Sequence, residues 1–245
     1  MSVGCFGRRP ASGHVLCAIT ARGATITVVT TSEAGFWDEW GADRASRNSG
    51  VREFRWTQYE GHGPGVELLG DPDSALELGS GAGDAAGALA ERGVRVTGID
   101  VSPFQCDQAA RHWADQPNVE FVHTDVLDYL RASTRRWDAI YSIWGALWFT
   151  DPALLLPLVR DHLEPGGHLV FSHAPPIPGC YGAQGMYAAG FHGRRVWVRR
   201  WAHEPQGWAD LLAAHGFTSI NAWVQPAPDP ELLGTLIVTA NRPRV

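Results

Sequence analysis

Lysine is missing. All 20 basic residues of the 245-residue chain are arginine, which removes Schiff-base chemistry, a pyridoxal-phosphate anchor and a P-loop lysine together. Cysteine is scarce: Cys5, Cys17, Cys106 and Cys180 stand far apart in sequence, so no thiolate zinc site or cluster-binding run forms and no metal is expected. So few thiols make no disulfide framework either; separate reduced thiols in a cytoplasmic protein are the expectation. No apolar run approaches the roughly 18 residues of a membrane span, so no membrane partner is expected. Positive charge is in deficit, with 26 acids against 20 arginines and a formal net charge of -6. Binding nucleic acid by counterion release needs the opposite balance, which argues against nucleic acid as a dedicated partner.

What is present suits one α/β domain. Residues 1–32 carry Arg8, Arg9 and Arg22 and no acid before Glu33. They lack the compact apolar stretch of a cleaved signal, and Thr25–Thr30 reads as a short strand; the segment is taken as a loosely ordered extension. Ser32 is placed to cap a helix on which Phe36, Trp37 and Trp40 recur at helical spacing, giving an N-terminal helical lid over 33–72, broken by Gly61-His-Gly-Pro-Gly65. From Asp73 strands alternate with helices. Strands are expected at 74–78, 94–100, 119–123, 137–142 and 167–173, with Ser102-Pro103 and Asp151-Pro152 opening helices. A helix at 205–215 and extended segments at 220–224 and 236–240 follow. The expectation is a doubly wound, mainly parallel, seven-stranded sheet. Its cofactor-binding core would span 73–173, a substrate-side insertion 174–204, and a C-terminal helix and strands 205–245.

The informative segment is Leu76-Glu-Leu-Gly-Ser-Gly-Ala-Gly83, between a strand and a helix. Glycines allow a sharp turn and close approach to a ligand, and the helix start offers unpaired N–H groups. Asp100 ends the next strand, where an acid meets ribose hydroxyls. A dinucleotide site wants a third glycine at the position held by Asp84, and an acid beside a pyrophosphate is repulsive. Glu77 adds more negative charge. A sulfonium cofactor is cationic and carries no phosphate, so these acids suit it.

At this point the chain resembles the class I S-adenosylmethionine-dependent methyltransferases over roughly residues 33–240. The resemblance rests on Glu77–Gly83, Gly98-Ile-Asp-Val-Ser102, Thr124-Asp-Val126, Trp137-Asp-Ala-Ile-Tyr-Ser142 and Leu163-Glu-Pro-Gly-Gly-His-Leu-Val-Phe171. It implies S-adenosyl-L-methionine as cofactor. Gly79, Ser80, Gly81 and Gly83 would line its amino-acid tail and ribose, with Glu77 beneath and Asp100 on the ribose hydroxyls. Val101 would pack on the adenine, Asp125 and the Val126 N–H would meet its edge, and the Ser142 carbonyl would face the ammonium. Bland readings stand beside these: Glu77 as a strand-edge acid, Asp125 as a helix cap.

Methyl transfer asks mainly for alignment and exclusion of water, so the acceptor side has no fixed signature. His173, at the end of the fifth core strand, is the candidate base, or else a histidine that holds its loop. His62 and Tyr59, in the lid before the sheet, are further acceptor-side candidates. Trp144 and Trp148, with the indoles at 37, 40 and 56, are candidate pocket walls or ordinary core. In Gly193–Trp201 a strand would put Arg195, Trp197, Arg199 and Trp201 on one side, as an anion-holding surface or a solvated edge. The reading is methyl transfer to an O or N atom of a small-molecule acceptor such as a specialised metabolite. The rivals are an NAD(P)-dependent oxidoreductase and a non-catalytic S-adenosylmethionine-binding protein.

Overall fold

The computed structural model describes residues 3–4, 14–21, 24–31, 33–47, 53–189 and 195–244. Near the N-terminus, β1 (Val3–Gly4), β2 (His14–Ala21) and β3 (Ala24–Thr31) pair antiparallel in a small sheet. Helix α1 (Glu33–Arg47) follows; Ser32, expected as its cap, lies outside the described residues. After an extended segment, a short 3₁₀ turn at Val66–Leu69 leads into the main sheet.

The central strands of that sheet are buried on both faces, as parallel strands covered by helices must be, while its two edge strands are part-exposed. Its first half contains β4 (Ser74–Leu78), α2 (Asp84–Ala90), β5 (Arg95–Asp100), α3 (Pro103–His112), β6 (Val119–His123), α4 (Val126–Ala132) and β7 (Trp137–Ile143). Next come α5 (Ala146–Phe149), α6 (Pro152–His162) and β8 (Leu163–His173), then the β9 (Gly182–Ala189) and β10 (Arg195–Ala202) hairpin. Helix α7 (Pro205–Ala214), β11 (Thr218–Gln225) and β12 (Thr235–Asn241) complete the chain. The strand order is β11-β12-β8-β7-β4-β5-β6, and only β12 runs against its neighbours. The expected seven-stranded doubly wound sheet is therefore the observed one.

Alternation along the strands sorts the core into two layers. Leu76, Leu78, Ile140, Leu169 and Phe171 face α4, α6 and α7, where Leu130, Leu155, Leu156 and Trp208 complete the layer. Ala75, Ala139, Tyr141 and Val170 face the other way, onto Ala86, Leu89, Leu69 and Trp56. Two predicted caps form as expected. Ser102 Oγ accepts from Gln105 N–H at 3.1 Å with Pro103 opening α3, and Asp151 Oδ1 accepts from Ala153 N–H at 2.9 Å with Pro152 opening α6. Among the described residues no helix is long and apolar enough to cross a membrane.

The order reverses between β4 and β7: from β4 the chain moves out to β5 and β6, then returns to the other side. At such a switch point the loops leaving the carboxyl ends diverge and open a crevice. Here they are the glycine turn after Leu78 and the corner after Ile143. Helix α1 lies over this end, tied to α3 because the Asp38 carboxylate accepts from Ser102 Oγ and from Phe104 N–H. The β9–β10 hairpin comes in from the other flank, where Val198 packs with Phe36, Trp37 and Phe149.

Candidate active site

Gly79, Gly81 and Gly83 all take left-handed conformations, with φ of 79°, 54° and 80°. Their uses differ. The Gly79 and Ser80 N–H groups donate to Ile99 O, folding the turn back onto β5, and a Cβ on Gly79 would stand 2.7 Å from Ala146 N. Glycine is required there because two loops meet backbone to backbone. At Gly83 a Cβ would come within 2.4 Å of the Phe121 ring, so that residue serves close packing of α2 on the sheet. It does not line the cavity below, contrary to the expectation for it.

Asp100 organises the turn. Its Oδ2 accepts from Gly81 N–H at 2.9 Å and its Oδ1 from Ser102 N–H at 2.8 Å. Burial pushes its carboxyl above the usual range, and these two N–H groups pull the other way. Glu77, on β4 beneath the turn, is almost fully buried, and Tyr141 O–H donates to it at 3.3 Å. Burial, with the nearby Asp84 and Asp100 charges, drives its carboxyl well above the ordinary value. Asp125 caps α4, accepting from Leu127 N–H and Asp128 N–H through Oδ1, yet it also faces the cavity. The cap reading and the ligand reading are thus compatible in one side chain.

These groups share one cavity of about 800 Å³. Of the expected cofactor residues, Glu77, Gly79, Ser80, Gly81, Asp100, Val101, Asp125 and Val126 line it. Ser142 does not: it is buried, its Oγ donating to Leu78 O at 2.7 Å and accepting from Leu147 N–H, so it ties the β7 corner to β4. The cavity continues into a chamber walled by Phe36, Trp37, Trp40, Trp144, Trp148 and Phe149, with Val198 from β10. Trp144 sits in the left-handed region at φ 51°, a strained conformation for a large side chain. Its backbone N–H donates to Ser172 O at 2.8 Å, holding the corner in place.

Four expected acceptor-side residues and one pocket wall fall elsewhere. His173 is fully buried outside the lining: Nδ1 lies 2.7 Å from Ala174 O, and the ring stacks on Trp148 at 5.4 Å with 4° between planes. Burial lowers its pKa to about 4. The imidazole thus stands behind the wall residue Trp148 and not in the cavity. Tyr59 and His62 are outside the lining too, Tyr59 O–H donating to Leu233 O on the outer surface. Trp56 is core. On β10 Arg199 is exposed and outside the lining, although Trp201 on its face is buried, while Val198 meets the cavity and the Arg200 guanidinium lies 5.4 Å from the Trp148 ring centre. The side chains of Arg195 and Trp197 lie outside the described residues.

A sequence profile described as "Methyltransferase domain" matches residues 75–167, the span from β4 through the glycine turn and the corner after β7 to the start of β8. Residues 75–167 thus match the methyltransferase-domain family, and the sheet around them is the fold of class I S-adenosylmethionine-dependent methyltransferases. A "Ubiquinone biosynthesis O-methyltransferase" of Alkalilimnicola ehrlichii is 30% identical over 152 residues, 56% of this chain and 60% of that protein. The chain spans about half the length of the first curated relatives it matches. Among solved structures, a DhpI–SAH complex is 25% identical with a TM-score of 0.52, covering 70% of this chain and 78% of that one. The Burkholderia thailandensis 1,6-didemethyltoxoflavin-N1-methyltransferase, with its ligand and S-adenosylhomocysteine bound, is 22% identical with a TM-score of 0.58. It covers 96% of this chain and 98% of that one, and at that identity it speaks for the fold alone.

Within this methyltransferase fold, sequence reasoning missed Glu53, Arg55, Thr57 and Gln58, all of which line the cavity. A signal existed. In Glu53-Phe-Arg-Trp-Thr57 the aromatic residues alternate with polar ones, and in the structure Phe54 and Trp56 pack into the core layer of Tyr141 while the odd positions face the cavity.

Proposed function

We propose that this protein transfers the methyl group of S-adenosylmethionine to an O or N atom of a small-molecule acceptor. The observation that carries this reading is one cavity lined both by an acid-rich glycine turn and by a cluster of aromatic rings. The residues fit the cofactor. Glu77 is a buried acid with Asp84 and Asp100 near it, Ser80 Oγ is buried without a hydrogen-bond partner among the described residues, and the turn offers glycine backbone to a close ligand. When bound, the cofactor supplies an electrophilic methyl group on a sulfonium sulfur.

The chain does the rest. Asp100, already fixed by two backbone N–H groups, keeps lone pairs for the ribose hydroxyls. Val101 and Val126 offer apolar contact to the adenine, and Asp125 accepts from its amino group. The acids lower the energy of a cation held among them. The rings beyond align the acceptor for in-line displacement and shut water out, which is most of what this reaction needs. Relatives and neighbours named for O-methylation and for N1-methylation leave both acceptor atoms open.

Incubation with S-adenosylmethionine carrying a labelled methyl group and a panel of aromatic alcohols, acids and amines tests this. Label in a product with release of S-adenosylhomocysteine supports it. Tight cofactor binding with no product from any acceptor favours a non-catalytic cofactor-binding protein.

A further inference from the structure

Among the described residues that line the cavity the carboxylates are Glu53, Glu77, Asp84, Asp100 and Asp125, and the one basic group is Arg55. Its position is dictated from below. Phe54 and Trp56 are held in the core, Trp56 by Nε1–H donating to Gly65 O at 2.7 Å and by its carbonyl accepting from Ser172 Oγ at 2.7 Å. With Phe54 and Trp56 held in the core, Glu53, Arg55 and Thr57 between and beside them line the cavity.

Arg55 is one-third engaged at most: one nitrogen, Nη1, donates to Glu53 Oε2 at 3.3 Å. The guanidinium is part-buried, at 26% side-chain exposure, and the rest of its fork is available to a ligand. The same cavity is lined by rings that already meet one another edge to face: Trp37 with Phe149 at 4.7 Å, Trp144 with Trp148 at 5.6 Å. Trp148 further carries the stacked His173 and the nearby Arg200 guanidinium. Ring faces occupied in this way do not form an open cage for an ammonium group. They form apolar walls with one directional polar group, the arrangement that fixes the orientation of an apolar ligand by a single charged edge.

We infer that Arg55, oriented by Glu53, is the specificity-determining residue of the acceptor chamber and that the acceptor is an aromatic acid, its ring body between the indoles and its carboxylate or equivalent oxyanion on the guanidinium fork. This rests on the small-molecule reading of the site and adds the charge and shape of what it takes.

Equilibrium dialysis of the whole protein against 2-naphthoate and against 2-naphthamide, with and without saturating S-adenosylhomocysteine, tests it. These probes share a ring body and differ in charge. The wild-type protein is expected to hold the acid about tenfold more tightly than the amide, Arg55→Gln to hold the two equally, and Arg55→Lys to keep part of the preference through charge alone. Affinity for S-adenosylhomocysteine stays unchanged in both variants. Equal binding of the two probes by the wild type, binding of neither, or a preference that survives Arg55→Gln overturns the assignment. Loss of S-adenosylhomocysteine binding by the wild type sinks the methyltransferase reading instead, and the naphthoate-to-naphthamide ratio still decides the role of Arg55.

Discussion

On the cofactor side of the cavity the facing groups are backbone and carboxylates, set at the carboxyl ends of β4, β5 and β6. On the side proposed for the acceptor they are, among the described residues, rings with the Arg55–Glu53 pair, brought by α1, the 53–57 segment, the corner after β7 and β10. The first set is fixed by the sheet itself: Asp100 stands where it does because β5 ends there and two backbone N–H groups hold it. The second set comes from elements added around the sheet, each anchored by its own contacts. A scaffold built this way can change its acceptor without disturbing its cofactor, since few residues belong to both sides.

The sharpest separation lies in the two buried titratable groups. His173 backs the acceptor wall with its pKa lowered to about 4, whereas an unfolded histidine titrates near 6.5. Below pH 6.5 the unfolded chain takes up a proton that the folded chain refuses. Stability is therefore lost as pH falls from 6.5 toward 4, by about 3 kcal/mol in all. Denaturant titrations of the wild type and of His173→Phe across this window measure it, and the variant should show a flatter profile. A profile unchanged by the substitution would remove His173 from this role.

Asp100→Ala comes next. It should weaken S-adenosylhomocysteine binding by about 2 kcal/mol, some of it through loosening of the Gly81 turn, with the naphthoate affinity left intact. Trp37→Ala should do the reverse, weakening naphthoate by about 1–2 kcal/mol through lost ring contact while sparing the cofactor. If each substitution damages both affinities equally, the two-sided description fails.

The smallest expected effect carries opposite signs in one residue. The Glu77 carboxyl keeps its proton in the folded chain well above the ordinary value of 4.5. Its favourable contribution to the fold is complete below pH 4.5 and lost as pH rises through the folded pKa. Glu77→Gln should thus stabilise the cofactor-free protein at neutral pH by about 1 kcal/mol, seen as a higher midpoint in thermal unfolding, while weakening the cofactor by a similar amount. A variant that loses on both counts would show that Glu77 is a structural acid.

Legibility in sequence followed the same division. The seven strands, the caps at Ser102 and Asp151, and the glycine turn with Asp100 could be read because periodicity, caps and turn chemistry are local. That Gly83 and Ser142 stand outside the cavity lining was not legible, because it depends on what packs against them: the Phe121 ring in one case, the β4 carbonyl in the other. His173 has the right strand end for a base, and only the stacked Trp148 shows that it is sealed. Arg199 was chosen over Val198 because alternation fixes which residues share a face and leaves open which face meets the cavity. The Glu53–Thr57 alternation was present in the sequence, too short to stand out beside the glycine motif.

The most direct measurement is calorimetric titration of the purified protein with S-adenosylmethionine, S-adenosylhomocysteine and NADH, repeated in two buffers of different ionisation enthalpy. A cation seated above Glu77 lowers that carboxyl's pKa, so S-adenosylmethionine should bind with release of a proton and more tightly as pH rises, and NADH should not bind. Binding of NADH in place of the two sulfur compounds, or of no ligand at all, would overturn the assignment of the acid-rich turn to a sulfonium cofactor.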